Sequence, residues 1–284
     1  MKSCSLRIMS HNLWKNDVNK PAWEEKGLDC SADARVKGFI KVYEELSPDI
    51  IGCQEMSSLM AEKLMCGVLE NGQKYALLWG KDTPIIYRTD KFEIIDSHFA
   101  LYPEELPGYE GCFNNYKTKS WNIAVFRIKE NGKHLIFATN HLWWKSSQPT
   151  NPNYQPYSDL ARVYQIGLII TKIEEYRKKY DCPAIIVGDL NCGYDSQCVK
   201  TALEKGYVHA HDVSIAPPDE SAGLHYCFAD GYYDYYYDFP FEKAIDHILL
   251  TPESELKICS FNRYSPKYYL PLSDHSPVYC DIEI

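Results

Sequence analysis

Short apolar runs rich in β-branched residues recur along most of this chain, and many of them stop at a carboxylate, an amide or a histidine. "IMSHNLW" finishes with Asn12, "DIIGCQE" with Gln54 and Glu55, "LIFATNHLWW" carries Asn140 and His141, and "IIVGDLN" delivers Asp189 and Asn191. "AIDHILL" opens on Asp246 and His247, and "LSDHSPV" sets Asp274 and His275 just ahead of the last run. Charged groups next to a core are costly unless they are paired or share a cation. The pattern therefore asks for many strands laid side by side with their polar ends on a common rim.

Alternation and β-branched content predict strands near 5–12, 49–55, 75–79, 84–88, 92–99, 121–128, 133–141, 184–190, 245–251, 256–262 and 277–283. Helical spacing is rarer. Residues 33–46 put Val36, Phe39, Ile40, Val42 and Tyr43 on one stripe, and helices are also expected near 57–69, 158–179, with Ser158 as its N-cap, and 196–205. The segments 146–156 and 216–242 read as loops flanking the polar strand ends. No repeat or linker divides the chain, so one layered domain over residues 1–284 is expected, of the α+β class.

With 284 residues and 45% apolar content the chain can bury an ordinary core, and no apolar run reaches the length of a membrane span. The start "MKSCSLRIMSHNLW" lacks the features of a signal peptide, which leads to the expectation of a soluble, cytoplasmic protein. Eleven scattered cysteines with no Cys-x-x-Cys pair read as reduced thiols, not as a disulfide framework or a zinc cluster. A net charge of −9 opposes broad binding to polyanions, although a local basic groove would override it.

A lone Asp or Asn at a strand edge is usually a turn former. The recurrence changes the balance, because carboxylate and amide oxygens without cysteine suit a hard cation such as Mg²⁺ or Mn²⁺, while the histidines leave Zn²⁺ open. In a β-conformation Asp189 and Asn191 face one side while Leu190 packs on the other. The carboxylate would then orient and deprotonate a water, and the amide would donate to a phosphoryl oxygen.

The ordered set Asn12, Gln54-Glu55, Asn140-His141, Gly188-Asp189-Leu190-Asn191, Asp246-His247 and Ser273-Asp274-His275 resembles the endonuclease/exonuclease/phosphatase superfamily, over nearly the full chain. That superfamily includes pancreatic deoxyribonuclease, abasic-site endonucleases, neutral sphingomyelinases, inositol polyphosphate phosphatases and deadenylases. The resemblance implies a four-layer α/β/β/α sandwich of two packed, mainly antiparallel sheets with outer helices, and an active site at one end of the sheets. It implies Glu55 as the principal metal ligand, with Asn12 and Asp274 close to the ion, and Mg²⁺ or Mn²⁺ as cofactor. Asp189 would activate the attacking water, Asn191 support the phosphoryl group, Asp246 hold His275 against the scissile phosphate, and His141 meet another phosphate oxygen. Family members place an arginine near "NNYKTKSWNIAVFRI"; here Lys117, Lys119, Asn114 and Asn122 stand instead, and lysine offers a point charge in place of a bidentate fork.

Lys119, Asn122 and Trp143 are the expected substrate contacts. His11 alternates with Asn12 and reads as structural, as do His98 and His225, while His247 packs in its strand. The run "GYYDYYYDF" invites stacking on a flat substrate but reads more simply as surface packing. The leading expectation is a metal-dependent phosphoesterase acting on a small or lipid-like phosphate ester, with no membrane span and no protein partner. The alternatives are a nuclease using the same site on DNA or RNA, and a catalytically silent binding protein on the same fold.

Overall fold

The computed structural model of the chain describes residues 3–217, 244–253, 256–264, 266–269 and 271–284. In chain order the first elements are β1 (Ser5–Asn12), α1 (Pro21–Glu24), α2 (Ala32–Leu46), β2 (Ile50–Gln54), α3 (Ser58–Glu70), β3 (Tyr75–Leu78) and β4 (Ile85–Arg88). A continuous second stretch gives β5 (Phe92–Leu101), β6 (Ser120–Ile128), β7 (His134–His141), α4 (Ser158–Tyr180), β8 (Ala184–Asp189), α5 (Gln197–Glu204), β9 (Val208–His209), α6 (Ala210–Val213) and β10 (Asp246–Leu250). β11 (Lys257–Arg263) and β12 (Val278–Glu283) close the chain, with a short 3₁₀ turn at Lys267–Tyr269 between them.

These strands form two six-stranded sheets, ordered β11-β12-β1-β2-β4-β3 and β5-β6-β7-β8-β10-β9. Their inner faces interdigitate through Ile8, Ile50, Phe126, Phe137, Val187 and Ile248. Met9 and Ile51, pointing outward from the first sheet, meet Phe39, Val42 and Leu64 of α2 and α3. Ile136 and Ile186 of the second meet Ile166, Ile169 and Val199 of α4 and α5. Because successive strand residues face opposite ways, strands apolar on both faces must be covered on both, and the result is the four-layer α/β/β/α sandwich.

The two sheets repeat one pairing scheme. In each, the third and fourth strands run parallel (β1 with β2, β7 with β8) and every other pair is antiparallel. The sequence carries no visible repeat to match. Both parallel pairs end at the same pole, where Asn12 lies beside Gln54 and His141 beside Asp189, and β10 begins there with Asp246 opposite Asp189. At the other pole Cys4 and Ile284 exchange two backbone hydrogen bonds of 3.0 Å. Near the polar pole the sheets approach closely: a Cβ on Gly52 would lie 2.4 Å from Val187 Cγ2.

α2, α3 and α5 are capped by Ser31, Ser57 and Ser196, whose hydroxyls accept from Ala34, Met60 and Val199 N–H groups. Ser158 is not a cap: α4 begins at it, Tyr157 takes the cap position with φ 67°, and Ser158 Oγ donates instead to Gln155 O at 2.8 Å. The described cysteines are free thiols. Among the described residues no helix is long and apolar enough to cross a membrane. Most of the 216–242 loop, with His225 and the tyrosine run, lies outside the described residues.

Candidate active site

Asp189, the last residue of β8, is the centre of the polar pole. Its Oδ2 accepts from Asn12 Nδ2 at 3.1 Å and lies 3.4 Å from His141 Nε2 and 3.9 Å from His275 Nε2. Each imidazole has its other nitrogen claimed by a buried carboxylate. His275 Nδ1 donates to Asp246 Oδ2 at 2.6 Å, and His141 Nδ1 to Asp82 Oδ2 at 2.7 Å. Asp82 is 4% exposed and stands in the turn between β3 and β4. Its one signal in the sequence is "GKDTP", an acid just before a strand.

Burial works against a charge on His275, but Asp246, Asp274 and Asp189 outweigh it and hold the ring protonated well above its ordinary range. Burial likewise opposes the charge on Asp246, and His275 overcomes it. Burial raises Asp189, assisted by Asp246 and opposed by His275, His141 and Lys119, so its carboxylate is more basic than usual. On Glu55 burial is overcome by His141, Lys119, the Lys15 N–H and His275, which bring it down to about 2. Asp274 is pushed up to about 7 by burial against the pull of His275, with Glu55 and Asp189 adding repulsion.

Lys119 is only 6% exposed, and its ammonium donates to His141 Nε2. Burial lowers its affinity for the proton, while Glu55, Asp82 and Asp189 oppose that loss. Asn114 fixes the lysine backbone, donating to Lys119 O at 2.8 Å and accepting from Lys119 N–H at 2.9 Å. Lys117 points away and pairs with Glu104 at 3.2 Å.

Other expectations need correction. β8 stops at Asp189, so strand alternation does not extend to Asn191; that residue has φ 51°, and its N–H folds back to Asp189 Oδ1 at 2.8 Å. Asn191 Nδ2 donates to Leu142 O at 3.0 Å, while Leu190 does pack into the helical layer. Trp143 is not a cleft residue: it is 1% exposed and packs with Leu106, Phe113 and Ala161, whereas Trp144 is 39% exposed. The chain leaves β7 at His141, and Trp143 N–H is then drawn to Gln165 Oε1 of α4 at 2.8 Å. Asn122 is enclosed in β6 with its amide toward Leu78 O and Trp79 O, both at 3.4 Å, which makes it a support for the β3–β4 turn and not a substrate contact.

His11 is structural, bonded to the Tyr43 and Tyr269 hydroxyls at 3.1 and 2.8 Å and driven by burial down to about 3. His98 lies against Trp121 with ring centroids 4.8 Å apart. His247 does more than pack: Nε2 donates to Cys192 O at 2.8 Å, so Nδ1 must accept from His209 Nε2 at 3.0 Å. His209 Nδ1 in turn accepts from His211 N–H at 3.2 Å.

The donor set fits a hard divalent cation. Among the described residues Asp274 Oδ1 and Asp246 Oδ1 are buried without a hydrogen-bond partner, and the repulsion that Glu55 and Asp189 add to the burial of Asp274 marks an excess of negative charge there. One carboxylate oxygen each from Asp189 and Asp246 and a nitrogen of His275 also lie within 4.8 Å of one another. Asp246 and His275 are spent on each other at 2.6 Å, and Asn12 Oδ1 already accepts from Trp14 N–H at 2.9 Å, so the residues that could offer oxygens to a cation are Glu55 and Asp274, with Asn12 beside them.

Residues 9–275 match the model of the Endonuclease/Exonuclease/phosphatase family. No curated protein sequence matches the chain. Among solved structures, an endonuclease/exonuclease/phosphatase from Bacteroides vulgatus is similar, with 20% identity, 98% of each chain covered and a TM-score of 0.73. A mannosyl-6-phosphatase from Bacteroides thetaiotaomicron shares 20% identity over 98% of this chain and 99% of its own, with a TM-score of 0.71. TDP2 from D. rerio, complexed with a single-strand DNA product, shares 17% identity over 98% of each chain, with a TM-score of 0.68. At these identities the three structures attest the sandwich alone. The family match spans the strand-end motifs from β1 to His275, and by that match this chain belongs to the Endonuclease/Exonuclease/phosphatase family, whose members are phosphoesterases.

Proposed function

We propose that the protein hydrolyses a phosphate ester of a small or lipid-like substrate by in-line attack of a water held at Asp189, with Mg²⁺ or Mn²⁺ as cofactor. The observation that carries the reading is the buried Asp189 carboxylate between two imidazoles, each backed by its own carboxylate. Raised basicity suits Asp189 to take the proton of the attacking water as the phosphorus–oxygen bond forms. His275, kept cationic by Asp246, donates through Nε2 to a nonbridging oxygen as negative charge gathers there. Lys119 offers a buried ammonium to a second oxygen. His141, oriented by Asp82 at Nδ1, accepts from Lys119 at Nε2, and this pair is placed to pass the Lys119 proton to the departing oxygen, leaving the lysine amine neutral. Asn191 holds Asp189 in place through its backbone N–H, and its carboxamide, anchored on Leu142 O, is the group that would support the phosphoryl oxygens.

Glu55, Asn12 and Asp274 would hold the cation, which when bound polarises the phosphoryl oxygens and offsets their charge. The chain's net charge of −9 favours a small or lipid-like substrate over a long polyanion. The test is a panel of sugar phosphates, inositol phosphates, nucleotides, sphingomyelin and nucleic acids assayed with Mg²⁺, Mn²⁺ and a chelator. Asp189→Ala and His275→Ala are expected to lose at least about 10³-fold in kcat with the fold intact. Full activity in both variants would end the reading, and turnover confined to DNA or RNA would replace the substrate class with the nuclease alternative.

A further inference from the structure

Arg35 lies in α2, outside the polar strand ends, yet it is 1% exposed, and among the described residues its hydrogen bonds go to backbone carbonyls. Its Nη1 donates to Leu13 O at 2.6 Å and Leu272 O at 2.8 Å, Nη2 to Asn16 O at 2.5 Å, and Nε to Cys30 O at 2.8 Å. The planar guanidinium is also flanked by Trp14 and Phe39, with Cζ 5.2 and 5.6 Å from their ring centroids. A buried cation is expensive, and Arg35 meets that cost with carbonyl bonds and the more distant charges of Asp274 and Asp17 instead of a directly paired carboxylate. Its location accounts for its presence, because the carbonyls it grips belong to the segments that carry the cation-facing oxygens.

Leu13 follows Asn12 directly. Leu13 and Asn16 bracket Lys15, whose N–H donates to Glu55 Oε2 at 3.0 Å. Leu272 leads into Ser273, whose hydroxyl donates to Asn12 O at 2.8 Å and accepts from His275 N–H at 3.1 Å, and Asp274 stands between those two residues. One rigid fork therefore ties together the backbones around Asn12, Glu55 and Asp274.

We infer that Arg35 is a positioning residue that presets the cation pocket by locking the 13–16 segment to the 272–275 segment before any ion arrives. The inference rests on the cation reading of the preceding section. A like-charged cluster tends to spread, and an acidic pocket that must first be gathered binds its ion more weakly, since ordering then opposes binding. Lysine cannot substitute, because three donors on one atom do not span four carbonyls as a planar fork does.

The experiment measures Mn²⁺ binding to Arg35→Lys and Arg35→Met by calorimetry and electron paramagnetic resonance, beside thermal melts. Val42→Ala, a buried position on the same helix facing the core, serves as a control for lost stability alone. Both Arg35 variants are expected to bind Mn²⁺ about 10- to 100-fold more weakly, the usual effect of removing an outer support of a metal site, while Val42→Ala melts earlier but binds as the wild type does. Wild-type affinity in a folded Arg35→Lys would overturn the inference and leave the cation reading standing. Absence of Mn²⁺ binding by the wild type would overturn both. Should the variants fail to fold, amide exchange in the cation-free wild type decides: a Lys15 N–H protected before metal is added is expected, and one exchanging as fast as in a free peptide means that the pocket is not preset.

Discussion

Asp82 and Asp246 act through the same geometry, each claiming the Nδ1 proton of an imidazole that faces Asp189, yet only Asp246 could be picked out in the sequence. Asp246 opens an apolar strand next to a histidine, whereas Asp82 sits in a Gly-Lys-Asp-Thr-Pro turn where an acid needs no special reason. Asp82→Asn should lower kcat about 10- to 100-fold with KM little changed, since His141 loses the carboxylate that fixes its tautomer and ring orientation. Steady-state kinetics on the best substrate of the panel checks this, and a change confined to KM would contradict it. Trp143 shows the opposite failure. Proximity to His141 in the chain gives no direction once the strand has ended, and its indole falls among Leu106, Phe113 and Ala161. Trp143→Ala should therefore cost about 3–5 kcal/mol in urea unfolding, while Trp144→Ala leaves stability nearly unchanged.

At the level of strands and helices, the expected strands and the helices α2 to α5 were legible because central strands such as β2 and β8 are apolar on both faces, outer ones such as β12 alternate, and the helices carry apolar positions at helical spacing. β9, α1 and α6 were not, being too short for any period to register. β9 nonetheless carries His209, whose bond to His247 of β10 ties the edge of the second sheet to the Cys192 carbonyl just past Asn191. Burial pushes both rings below their ordinary pKa; His247 and His211 add to the effect on His209, whereas the Cys192 carbonyl and Asp246 partly oppose it on His247. In the unfolded chain they titrate near about 6.5, so the unfolded state takes up protons first. Their contribution to stability is thus complete above that pH and is lost as the pH falls below it. Asp274 and His275, both raised in the fold, act in the opposite sense over the same range, so the check is a difference: from about pH 7.5 to pH 5 the wild-type urea midpoint should change less favourably than that of His209→Asn. An equal change in the two proteins would mean that the relay does not report on pH.

For the whole molecule, the four layers were expected from the family resemblance and could not have come from composition, because periodicity assigns elements but not which sheet each strand joins. The repeated pairing scheme was invisible for the same reason: backbone hydrogen bonds carry it, and the matching strands share no sequence signature. An overall charge of −9 also has a kinetic consequence. If the substrate is small, kcat/KM should change no more than about threefold between 50 and 300 mM KCl, whereas a nucleic-acid substrate engaging several phosphates would show losses of about 10³-fold or more.

The two hydrogen bonds joining Cys4 to Ile284 close the first sheet at the pole away from Asp189, and Asn131 of the β6–β7 turn reaches over to donate to Ile284 O at 3.1 Å. Peptide-linking those neighbours and reopening the backbone at that hairpin would reorder the strands in sequence while leaving every inter-strand partner where it is. Catalytic competence in such a circular permutant would follow from spatial adjacency alone, whatever the order in which the ribosome delivers the pieces.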